Sequence, residues 1–303
     1  MRLDNERESG NFEDRGRGGG GLSAGGLGGY ALFGLFRLLG LRGVLIVGLL
    51  AAGAYFFVPG FRPLIGSLVG VDGGAQTQGA GHVCDTQGQA CVFVRKILAS
   101  TEDVWHSQFQ AGRLPNYGSP LPSDYTDPTL VVYSNATSTG CGDASSSIGP
   151  FYCPQDHKLY LDPSFYDQLA NQLHAPGEFA QAYVIAHEVG HHVQNLIGAM
   201  NAGPQESENQ HSVRVELQAD CFAGVWGHTA APTLDIDDAD LRSALNAAHQ
   251  IGDDALQQGA QGHVNPNQFT HGTSAQRMKW FRRGYDTGDA RQCDTFQGSY
   301  ADL

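Results

Sequence analysis

His187-Glu188-Val189-Gly190-His191 stands inside an apolar run from Phe179 to Ile197, and its reading decides both the fold and the chemistry of the chain. The approach from Gly177 to Ala186 contains no Pro, and Phe179, Ala182, Tyr183, Ala186, Val189, Val193, Leu196 and Ile197 recur at spacings of three and four. A helix is predicted. Residues four apart on a helix lie one turn above each other, so His187 and His191 aim two imidazoles from one face at one point. Glu188 is turned about 100° from His187, beside that point, where its carboxylate can take a proton from an attacking water. This is the arrangement of a zinc-dependent hydrolase. The plainer alternative is a half-buried helix carrying two solvated histidines.

A catalytic zinc takes three protein ligands and keeps a position open. The metzincin pattern would put Gly at 194 and His at 197, where this chain has Gln194 and Ile197, so that class is excluded. The next Pro-free stretch, Ser207 to Trp226, repeats Val213, Leu217, Asp220 or Cys221, and Gly224 at helical spacing and predicts a second helix. On it Glu216 and Asp220 share a face. Glu216 can complete the metal set, while Asp220 can accept a hydrogen bond from a ligating imidazole and fix its tautomer. His211 is the other candidate for the third ligand, and a solvated acidic edge is the non-functional reading of the pair. For a group that stabilises the tetrahedral oxyanion, the candidates are His271, in the polar loop from Phe269 to Ser274, and Tyr183, one turn before His187.

The two-helix pattern of His-Glu-x-x-His followed by Glu-x-x-x-Asp resembles the gluzincins. Several segments resemble the bacterial neutral zinc metallopeptidase family of YpfJ type. These are Arg7-Glu8-Ser9 with Asn11 to Arg15, Ile148 to Pro154, Ala186 to Gln194, Glu216 to Trp226, and His271 to Met278. They run nearly end to end. The resemblance implies a single-pass, membrane-anchored zinc peptidase with His187, His191 and Glu216 at the metal and Glu188 catalytic.

Charge divides the chain. Residues 1 to 42 hold six Arg and five acidic residues, whereas 43 to 303 hold 12 basic and 26 acidic. An acidic globular part without a basic stripe argues against nucleic acid as a partner. Residues 1 to 29 are polar, then Gly-rich, and are expected to form a disordered cytoplasmic tail. From Gly43 to Val58 no charge interrupts the chain, and apolar residues continue on both sides. A spanning helix needs about 20 residues. One transmembrane anchor is therefore expected over 30 to 61, with Arg37 and Arg42 holding the N-terminus inside. A linker over 62 to 81 and a metallopeptidase domain over 82 to 303 follow.

All six cysteines lie beyond the anchor, which suits disulfides in an oxidising compartment such as a periplasm. Six allow 15 pairings. Nearest-neighbour pairing gives Cys84 with Cys91, Cys141 with Cys153, and Cys221 with Cys293. The remaining elements predicted are helices over 91–111, 163–173, 235–257 and 273–285, a short strand over 129–133, and a hairpin from Ile148 to Leu161. The expected class is α+β, mainly helical and zincin-like, with a small sheet. The hairpin is a candidate edge for an extended peptide, or an ordinary structural hairpin. The functions these features allow are a zinc peptidase using a zinc-activated water, a zinc amidase acting on cell-wall peptides, or an anchored interaction module with a zinc site and no turnover.

Overall fold

A computed structural model describes residues 1–17, 81–118 and 120–303. The transmembrane segment expected over 30 to 61, most of the linker and the Gly-rich stretch from 18 to 29 lie outside the described residues. Among those described, no helix is long and apolar enough to cross a membrane.

The architecture is α+β and mainly helical, with a small sheet. The chain opens with strand β1 (Phe12–Arg17), then a helical turn α1 (Val83–Thr86) and the long helix α2 (Gly88–Gln110). Strand β2 (Thr129–Ser134), the ribbon β3 (Ala136–Thr139) and β4 (Gly142–Ser145), and the hairpin β5 (Phe151–Cys153) and β6 (Lys158–Leu161) follow. The rest is helical: α3 (Phe165–Asn171), α4 (Glu178–Leu196), α5 (Glu208–Leu234), α6 (Asp238–Gln250), α7 (Asp253–Gln261) and α8 (Ser274–Thr287).

The main sheet has the order β1-β2-β6-β5, parallel except for the last pair. Alternation sorts its side chains. Leu130, Val132, Leu159 and Leu161 face the helical core, while Val131, Tyr133, Cys153 and Tyr160 form a second cluster on the other face. Behind the sheet, Trp105 of α2 meets Phe222 of α5 edge-on at 5.2 Å, and Trp226 of α5 stacks on Phe179 of α4 at 5.6 Å. The three nearest-neighbour disulfides are present, Cys84 with Cys91, Cys141 with Cys153, and Cys221 with Cys293.

Three expectations need correction. Residues 1–17 are not a free tail: β1 pairs with β2, and the α-amino group of Met1 meets Asp240 at 2.5 Å. Their polar composition hid this, because they join the domain through backbone pairing and polar clamps more than through apolar burial. Helix α5 continues eight residues past Trp226 through Pro232, where Pro sits in the last turn before the left-handed Asp235. The stretch 235–257 is two helices, since the N–H of Asp253 bonds to the Gly272 carbonyl and starts a new helix. The β3–β4 ribbon was also not legible; its residues are mostly Gly, Ser, Thr and Asp, without apolar alternation.

Candidate metal centre

Helices α4 and α5 cross where Gly190 faces Ala219. A Cβ on Gly190 would stand 3.0 Å from the Ala219 carbonyl oxygen, so a glycine is what lets the two backbones approach this closely. The crossing brings Glu216 over the His187/His191 face. The ring centroids of the two histidines lie 4.7 Å apart, and Glu216 Oε2 is 3.1 Å from His187 Nε2 while Oε1 is 3.5 Å from His191 Nε2. One ligand atom from each of the three falls within 4.8 Å of the others. Atoms bound tetrahedrally at zinc distances of 2.0–2.2 Å stand about 3.4 Å apart, so two imidazoles and this carboxylate fit that ion in both number and spacing.

The groups behind the ligands set their orientation. Asp220, fully buried, accepts from His187 Nδ1 at 2.8 Å, which fixes the ring with Nε2 toward Glu216. Gln194 does the same for His191, taking the Nδ1 proton on Oε1 at 2.8 Å while its own amide donates to the Val215 carbonyl and to Gln218. Gln194, which excluded the metzincin pattern in the sequence, thus has a positive use.

Arg277 was missed altogether as a site residue. It donates from Nε and Nη2 to Asp220 at 2.8 and 2.9 Å, and its Nη2 lies 4.0 Å from Glu216. It reaches the site because α5 and α8 almost touch: a Cβ on Gly284 would stand 1.9 Å from the Cys221 carbonyl oxygen. The sequence does carry a signal, since Arg277 shares the buried period of Trp280, Phe281 and Gly284. A charge at a core position of an amphipathic helix requires a buried counter-charge.

The titration of the cluster follows from these contacts. Burial opposes a charge on His187, but Asp220 and Glu216 overcome it and raise the pKa to about 10. Burial alone would raise Glu216; His191, His187 and Arg277 reverse this and hold it below the carboxylate range. Glu188 is pushed up to about 7 by burial, with His187 pulling against it, and it accepts a bond from the backbone of Tyr152.

A cleft of about 410 Å³ opens on the cluster and is lined by His187, Glu188, His191, Glu216 and His271, with Phe151 and Tyr152 of β5 on its wall. β5 is the edge of the sheet, so the candidate peptide edge and the candidate metal set share one cleft. His271 is half-exposed there, its Nδ1 3.2 Å from Asp253, a contact that raises its pKa against the effect of burial. The Tyr183 hydroxyl is committed to Asp220 at 2.6 Å. His211 is not brought to the site: its Nε2 lies 2.9 Å from the Met200 carbonyl and its ring packs on Phe296.

Comparison with known proteins gives one family. Residues 1–296 match the family model described as "Putative neutral zinc metallopeptidase". YpfJ of Escherichia coli K12, titled an uncharacterized protein, is 46% identical over 98% of this chain and 99% of its own length. Rv2575 of Mycobacterium tuberculosis, titled likewise, is 47% identical over 61% of this chain and 67% of its own length. No solved structure matches.

Proposed function

The chain belongs to this zinc metallopeptidase family, and on that footing we propose that it is a membrane-anchored peptidase that hydrolyses peptide bonds with Glu188 as general base. The observation that carries the reading is the convergence of His187, His191 and Glu216 at one point, with Glu188 lining the same cleft. Zinc, when bound, supplies a Lewis acid for the scissile carbonyl and brings the pKa of a water toward 7.

The residues of the chain do the rest. Asp220 and Gln194 hold the two imidazoles with Nε2 forward. Glu188, with a pKa of about 7, is placed to take the proton of the attacking water and return it to the leaving amine. An extended peptide added along β5 would run its backbone past Glu188, and His271 on the cleft wall would donate to the oxyanion.

Three disulfides support an oxidising, extracytoplasmic location for the domain. The uncharged stretch from Gly43 to Val58 supports anchoring in the inner membrane. Metal analysis of the purified chain, coupled to digestion of an unbiased peptide library, tests the reading. About one zinc per chain and chelator-sensitive cleavage are expected. Zinc without cleavage of any peptide would favour the interaction module, and cleavage confined to cell-wall peptides would favour the amidase.

A further inference from the structure

The first 17 residues are built into the same compact unit as residues 81–303. Their attachment has the chemistry of an integral part. Glu102 on α2 is a carboxylate only 2% exposed. Its contacts come from one short segment: Ser9 Oγ at 2.5 Å, Asn11 Nδ2 at 2.9 Å and Arg7 Nη2 at 2.8 Å. Without residues 7–11 this buried charge would stand unpaired, an arrangement that folded proteins avoid. Beyond it, β1 forms the outer strand of the sheet, Lys158 Nζ reaches Glu13, and Lys96 Nζ donates to the Leu3 carbonyl at 2.7 Å.

The point of departure and the point of return are also together. Asp14, in β1, accepts from the backbone N–H groups of Val83 and Cys84 at 3.0 and 2.9 Å. Residues 14 and 83–84, which lie on either side of residues 18–80 in the sequence, therefore meet at one side chain. Cys84 is oxidised in its bond to Cys91, so β1 lies against a disulfide.

We infer that residues 1–17 and the metal cleft lie on the same side of the membrane. A single crossing puts the two ends of a segment on opposite faces, which a shared sheet forbids. Exchange of β1 between two copies leaves the conclusion unchanged, because the strand must still reach a domain on its own side. The cytoplasmic N-terminus expected from Arg37 and Arg42 is thereby replaced by an N-terminus on the domain's own side.

The described cysteines are all in disulfides, so an added one is a unique thiol. Asp4→Cys and Asp286→Cys, both at exposed positions, are made separately in the full chain and labelled in cells with a permeabilised outer envelope by a membrane-impermeant maleimide. Equal labelling of the two before lysis is expected. Labelling of Asp286→Cys before lysis, with Asp4→Cys reached only after lysis, overturns the inference. If both require lysis, the same-side inference holds and the extracytoplasmic location fails, so the two are separable.

Discussion

At the residue scale, the site is a set of opposed charges held in place by one another. Zinc needs neutral imidazole, whereas His187 in the metal-free chain carries a proton up to about pH 10. Zinc binding between pH 7 and 10 therefore expels that proton, and affinity should rise about tenfold per pH unit over the window. Calorimetry in buffers of different ionisation enthalpy reads the proton directly; no proton released at pH 8 would contradict the role given to Asp220. The raised pKa also stabilises the metal-free fold below pH 6.5, the ordinary value, and that contribution is lost as pH rises through 10. Glu216→Ala removes a proposed ligand and should weaken zinc binding more than Asp220→Ala, for which a loss of about 10 to 100-fold is expected. Arg277→Met leaves the buried Asp220 without its guanidinium partner. It should cost about 3–5 kcal/mol by denaturant titration, and a change below 1 kcal/mol would show that Arg277 is incidental.

At the element scale, the periodicity of the two site helices was legible because their apolar stripes, as far as Leu196 and Trp226, are long and free of Pro. Their relative placement was not. That depends on the contact between Gly190 and Ala219, as the placement of α8 depends on Gly284 with Cys221, and no local pattern encodes either. Gly190→Val should force α4 and α5 apart and cost about 1–3 kcal/mol as overpacking does, and it should lower zinc affinity as well. Unchanged zinc binding by this variant would mean that the crossing does not set the ligand spacing. The disulfide pairing was legible from sequence proximity for the two local loops. Cys221 with Cys293 then followed as the remaining pair. It ties α5 to the segment after α8 across 72 positions. Replacing both by Ala should lower stability by about 4 kcal/mol on the chain-entropy estimate, read as a fall in the midpoint of chemical denaturation.

At the scale of the whole molecule, the mainly helical α+β class and the meeting of His187, His191 and Glu216 could be read from the chain, since they rest on residue types at fixed spacing. The strand at residues 12–17 could not be, because it is polar and owes its place to Glu102, Asp14 and an open sheet edge. The same blindness hid Arg277, whose meaning depends on a carboxylate 57 positions away. The central claim is that the cleft holds a metal site with a separate general base. It is tested most directly by measuring zinc content and peptide hydrolysis on the same preparation of Glu188→Gln. About one zinc per chain is expected, as in the wild type, with hydrolysis reduced at least about 100-fold, the effect of losing a general base. Hydrolysis at the wild-type rate would contradict it.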